Sequence, residues 1–122
     1  MSSAAKIKYL TAFNSTLRQF IDELHKLFPQ TELFETAKNL FHTGLVMNKE
    51  TYISEFHEKV YLTHSEQLKN QNSDFFAALK DFDMFPETAE VRELYKTMNS
   101  VQIAACWKFV ALLTKLTGKY YA

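Results

Sequence analysis

The stretch FNSTLRQFIDELHKLFPQ, residues 13–30, decides how the rest of the chain is read. Phe13, Leu17, Phe20, Ile21, Leu24, Leu27 and Phe28 recur at helical spacing, and Arg18, Gln19, Asp22, Glu23 and Lys26 fill the intervening positions. That is an apolar stripe on one side of a 3.6-residue helix. The helix starts at Ser3 or Thr11 and stops at Phe28, because the residue before Pro29 is driven out of helical geometry. A stripe this wide reads as the wall of a core. Truncating Leu24 within it is expected to be costly.

The same rhythm continues outward. A second helix opens at Thr31, which has cap chemistry, and carries Leu33, Phe34, Ala37, Leu40 and Phe41 to a stop at Gly44. The link Phe28-Pro29-Gln30-Thr31 is a tight corner, so the first two helices form a hairpin with facing stripes. A third helix begins near Asn48 and buries Tyr52, Ile53, Phe56, Val60 and Tyr61. Residues 69–74, KNQNSD, form a polar loop ending in a new cap. A short fourth helix, DFFAALKDF, holds Phe75, Phe76, Leu79 and Phe82, and Phe85-Pro86 repeats the ending of the first. A fifth spans Glu87 to Met98, with Val91, Leu94, Tyr95 and Met98 on one face. After Asn99-Ser100 a sixth runs from Val101 to Thr117, lined by Ile103, Cys106, Trp107, Val110, Leu113 and Leu116, and Gly118 stops it. The expectation is an all-α, single-domain bundle of five or six helices spanning residues 1–122.

Composition agrees. Two glycines and two prolines in 122 residues leave little material for strand-and-turn architectures. Eleven Phe, six Tyr and one Trp supply large buried areas, which serve cores and interfaces alike. The lone Cys106 excludes an internal disulfide and fits a reducing intracellular compartment. The first residues lack a signal-peptide apolar run, and no stretch has the roughly 20 apolar residues of a membrane span.

Fourteen basic residues balance fourteen acidic ones, but unevenly. From Glu50 to Glu93 ten acids face Lys59, Lys69, Lys80 and Arg92; beyond Glu93 only Lys96, Lys108, Lys115 and Lys119 are charged. Two readings stand at this level: pairing within the molecule and favourable helix-end placement, or head-to-tail contact between copies.

No catalytic pattern is present, and no cofactor or metal is expected. His57 and His64 are two turns apart, but HEKVY lacks the second histidine of a zinc-binding HExxH, since position 61 is Tyr. Cys106 lies in apolar AACWKFV without an activating neighbour. No glycine-rich phosphate loop exists. The chain reads as a non-enzyme. Lys108, Lys115 and Lys119 on the last helix, near Tyr120-Tyr121, are the only candidates for contacts to nucleic acid. Phe82, Phe85, Tyr120 and Tyr121 are the candidates for contacts to protein.

Phe13, Asn14, Leu17, Phe20, Ile21, Asp22, Glu23, Phe28 and Pro29 together form a Phe-Asn…Phe-Ile-Asp-Glu…Phe-Pro pattern. It resembles one found in small helical proteins of nucleocytoplasmic large DNA viruses. The likeness continues through Thr36, Lys38, Asn39, Asn48-Lys49, Val60-Tyr61 and Phe75-Phe76 to Trp107-Lys108-Phe109-Val110 and Leu113-Thr114-Lys115-Leu116. Two departures stand out. Where members carry a basic, proline-containing segment after the second helix, this chain has HTGLVMNKE. Where they carry a charged tail helix, it has apolar AACWKF. The resemblance implies a viral protein without assigned chemistry. It acts either as a minor structural subunit of the virion or capsid, or as an accessory protein in infected host cytoplasm. Its partners would be other viral proteins or copies of itself, in an oligomer or assembly, with nucleic acid as the rival partner.

Overall fold

The computed structural model describes residues 3–63, 65–70, 93, 94 and 96–122. Among these residues all regular secondary structure is helical, with no strand. Helix α1 spans Ser3–Leu27, α2 Leu33–Met47, α3 Thr51–Phe56, α4 Ser65–Asn70 and α5 Ser100–Tyr120. A π-helical turn, His57–Tyr61, continues α3 directly. With the interrupted segment from Thr51 to Asn70 taken as one body, the described residues form four helical bodies rather than five or six. Most of the residues read as the fourth and fifth helices, including Phe75, Phe76, Phe82 and Phe85, lie outside the described residues.

The α1 stripe becomes the centre of the molecule. Phe13, Leu17 and Ile21 are almost wholly buried, and Phe20, Leu24 and Phe28 are buried beside them. The helix packs most extensively against α5, then against α2 and α3. Phe20 stacks flat on Phe109 of α5, with ring centroids 5.2 Å apart, and Phe13 meets Phe56 of α3 edge-on at 5.6 Å. Such pairs stabilise beyond their buried area. Buried Thr16 and Thr117 donate to the carbonyls of Ala12 and Leu113, so neither hydroxyl is left unsatisfied.

Helix ends follow local chemistry with two corrections. At α5 the expected recapping is present as a full capping box. Asn99 Oδ1 accepts from Gln102 N at 2.9 Å, and Gln102 Oε1 accepts from Asn99 N at 3.0 Å. Thr31 and Asn48 act one step earlier than expected: their side-chain oxygens accept from Leu33 N and Glu50 N, in turns that precede α2 and α3. The larger correction concerns the glycines. Neither Gly44 nor Gly118 stops its helix; α2 runs on to Met47 and α5 to Tyr120. Both are places where a tyrosine of the α3 segment lies across a neighbouring helix. A Cβ on Gly44 would come within 2.8 Å of Tyr52 Cζ, and one on Gly118 within 3.1 Å of Tyr61 Oη. The Tyr52 hydroxyl donates to Leu40 O at 2.7 Å, holding its ring over Gly44. Leu40, expected in the core, is exposed.

Two measurements test this packing. Leu24→Ala should destabilise by roughly 2–5 kcal/mol in urea unfolding, as truncations of buried leucine do; an unchanged midpoint would remove Leu24 from the core. Gly44→Ala should destabilise although alanine favours a helix by about 1 kcal/mol. In a Tyr52→Ala background the same change should become neutral or stabilising. A stabilising Gly44→Ala in the otherwise natural chain would refute the contact.

Candidate interaction surface

The sequence-expected contact residues fall into different settings. Phe82 and Phe85 lie outside the described residues. Tyr120 is buried, only 5% exposed, and so belongs to the core; Tyr121 is 41% exposed. Burial raises the Tyr120 phenol above the ordinary tyrosine value, reinforced by a hydrogen bond to Glu50 and by the charge of that carboxylate. Burial likewise raises Tyr52, with the Glu55 carboxylate adding to it. Tyr121 stacks on His57 of the π turn at 3.9 Å, and His57 in turn lies 5.6 Å from Tyr61. Lys108, Lys115 and Lys119 are all exposed on the outer side of α5.

What the tertiary structure adds is a second basic segment beside these lysines. All fourteen acids of the chain lie between Asp22 and Glu93, together with only seven of the fourteen basic residues. The remaining seven cations are Lys6, Lys8 and Arg18 before that interval, and Lys96, Lys108, Lys115 and Lys119 after it. The two acid-free segments are α1 before Asp22 and α5, and these two helices run antiparallel side by side. Lys6 Nζ lies 4.7 Å above the Tyr120 ring and Lys119 Nζ lies 5.6 Å from the Tyr9 ring, so each helix lends a lysine to an aromatic ring of the other. At the opposite end, Leu24 and Leu27 of α1 meet Val101 and Ala105 of α5.

The charges of the described residues are therefore divided along α1, a length of about 37 Å at 1.5 Å per residue. One end gathers Lys6, Lys8, Lys115 and Lys119; among the described acids, Glu50 reaches it through the Tyr120 hydroxyl, and Glu58 lies in the π turn whose His57 stacks on Tyr121. The other end gathers Asp22 and Glu23 from α1, then Glu32 and Glu35 at the start of α2. At the acidic end Lys26 and Lys38 pair with Glu23 and Asp22, which leaves Glu32 and Glu35 there without a salt bridge among the described residues. Among the described residues the salt bridges are Lys26–Glu23 at 3.4 Å, Lys38–Asp22 at 3.1 Å, Lys59–Glu55 at 3.8 Å and Lys96–Glu93 at 3.0 Å. None involves Lys6, Lys8, Arg18, Lys108, Lys115 or Lys119, and none involves Glu32, Glu35, Glu58 or Glu66.

Apolar surface accompanies the charge. Ile7, Val46 and Met47 are 63%, 77% and 83% exposed. Val46 sits beside Thr11 of α1, one turn after Ile7, in an open recess of about 420 Å³ that also takes in Asn14, His42, Leu45 and Lys49. Asn14 Nδ2 donates to Lys49 O at 3.0 Å, which ties the α2–α3 link to α1, while its Oδ1 is buried with no partner among the described residues. A smaller recess of about 130 Å³ opens between α1 and α5, lined mainly by apolar side chains including Phe20, Leu27, Val101 and Phe109, with Glu23 at its edge.

Catalytic groups do not converge in either recess. The larger has a histidine and a lysine but neither thiol nor carboxylate. The smaller includes Cys106, whose sulfur lies 3.8 Å from Met98 Sδ and whose thiol is pushed up by burial to about 11. No three His, Cys, Asp or Glu side chains gather to hold a metal among the described residues, and no described helix is long and apolar enough to cross a membrane.

The Cys106 environment makes a direct prediction. At neutral pH its thiolate fraction is about a hundredfold below that of an ordinary cysteine, and burial restricts access further. Native protein should react with a thiol-specific disulfide reagent far more slowly than protein in denaturant. Equal rates would show that Cys106 is accessible and activated.

Comparison with protein-family models, with curated proteins and with solved structures finds no match to this chain.

Proposed function

We propose that this protein works by packing against other proteins, as a small structural subunit of a large DNA virus particle, with no catalytic role. The resemblance of FNSTLRQFIDELHKLFPQ to proteins of such viruses supports the viral setting. The single observation that carries the mode of action is the division of charge between the two ends of α1. Unpaired cations at one end and unpaired carboxylates at the other, each with exposed apolar side chains nearby, suit oriented contact with complementary protein surfaces. Charge of this kind steers and orients association more than it adds affinity, and the apolar side chains supply area to bury.

The lysines of α5 favour a second reading, an accessory protein that binds nucleic acid in infected cytoplasm. Aromatic availability weighs against it. Base stacking needs open ring faces, yet Tyr9 and Tyr120 are covered by lysines, Tyr120 is buried, and Tyr121 is stacked on His57. The outer positions of α5 also carry the exposed apolar side chains of Val101 and Leu112, which offer area to bury against a protein.

Mass spectrometry of purified virions, together with pull-downs from infected cells, should find the protein in particles and recover viral proteins with it. Absence from virions would reject the structural role; recovery of no viral protein would reject packing altogether. A duplex DNA titration with Lys108, Lys115 and Lys119 changed to Ala separates the rival. Binding that falls steeply with salt and is lost in the triple variant would establish it.

A further inference from the structure

We infer that the partner of the basic end is the acidic end of a second copy of this chain, so that the protein associates head to tail along the axis of α1. This deepens the protein-packing reading and rests on it. The surfaces are complementary in kind. Lys6, Lys8, Lys115 and Lys119 lie at one end without a salt bridge, and Glu32 and Glu35 lie exposed at the other, also without one. Each end carries apolar surface for burial: Ile7 at the basic end, and Val101, 77% exposed, at the acidic end.

Other occupants fit less well. Pairing two basic ends across a twofold axis would bring Lys6, Lys8, Lys115 and Lys119 of both copies together, and like charges in contact cost several kcal/mol. A foreign acidic protein would satisfy the basic end but would leave Glu32 and Glu35 unexplained. Head-to-tail pairing uses both ends in every subunit, and the zero net charge of the chain imposes no long-range repulsion between copies. Such a contact is heterologous. It generates a ring where the rotation closes and an open chain where it does not, which suits a subunit of a larger shell.

The test uses the intact chain in sedimentation velocity at about 20 mM and about 500 mM salt, conditions that shorten the screening length from roughly 20 to 4 Å. The natural protein should form larger species at low salt, with apparent affinity at least about tenfold weaker at high salt. Lys8→Glu with Lys115→Glu reverses the basic end, and Glu32→Lys with Glu35→Lys reverses the acidic end. These four positions are exposed and their side chains make no salt bridge, so both variants should retain the helical circular dichroism of the parent. Each variant alone should sediment as a monomer, and an equimolar mixture of the two should associate again. A natural protein that is monomeric at low salt, an association indifferent to salt, or variants that still self-associate would each overturn the inference. Monomeric protein that still recovers virion proteins would overturn self-pairing while leaving the packing role standing. Salt-sensitive binding of duplex DNA by a monomer, lost on reversing Lys8 and Lys115, would assign the basic end to nucleic acid instead.

Discussion

The antiparallel packing of α1 on α5 is the constraint on which the rest depends. Helix α1 meets α2, α3 and α5, so few of its apolar side chains are left to water. Its partner α5 presents Cys106, Trp107, Val110, Leu113, Leu116 and Tyr120 at helical intervals, a face long enough to run beside α1 from Leu27 to Lys6. Because 72 residues separate the end of α1 at Leu27 from the start of α5 at Ser100, this pairing must overcome loop-closure entropy before it contributes stability. Flat stacking of Phe20 on Phe109 and the reciprocal lysine–tyrosine contacts at the other end fix its register.

The α3 segment then seals the open side. Two of its tyrosines lie on the two glycines of the chain, Tyr52 on α2 and Tyr61 on α5. A glycine in mid-helix sacrifices helix propensity, and here it allows an aromatic ring to approach the helix backbone. The π turn between the tyrosines belongs to the same arrangement. It is closed by the bond from Leu62 N to His57 O at 3.0 Å, buries Val60 completely and sets His57 against Tyr121. π-helical geometry is rare and occurs mostly as single turns of this kind within α-helices.

The proposed function rests on what this packing leaves outside. Among the described residues no three His, Cys, Asp or Glu side chains cluster in the core, and the one thiol is deactivated by burial. The described surface carries exposed cations, exposed carboxylates and apolar side chains between them. An N-terminal half of α1 without acids sits awkwardly against its own helix dipole, which favours negative charge at that end. The lysines of α5 near its C-terminus suit theirs. Their concentration at one end of the molecule gives the surface its direction.

By itself the sequence determined the helices that carry strong 3.6-residue periodicity. The α1 stripe, the corner at Pro29, the buried face of α5 and the Asn99–Gln102 cap are all local features, set by the spacing of apolar residues and by side chains within hydrogen-bond reach of their own backbone. The role of the glycines was not local. Read alone, Gly44 and Gly118 look like helix stops; only the tyrosines brought across from another helix give them their purpose. Leu40 follows the apolar rhythm of α2 and is nevertheless exposed, because periodicity names a face and does not say how far a neighbour extends over it. The candidate surface divides in the same way. The acid-free C-terminal segment was legible as Lys108, Lys115 and Lys119, whereas Lys6 and Lys8 carried no signal until the antiparallel pairing set them beside Tyr120 and Lys119. Tyr120 and Tyr121 are adjacent in sequence, but helical rotation turns one into the core and the other out to His57. Charge counts belong to the sequence; the end of the molecule at which charges meet is decided only when distant segments pack.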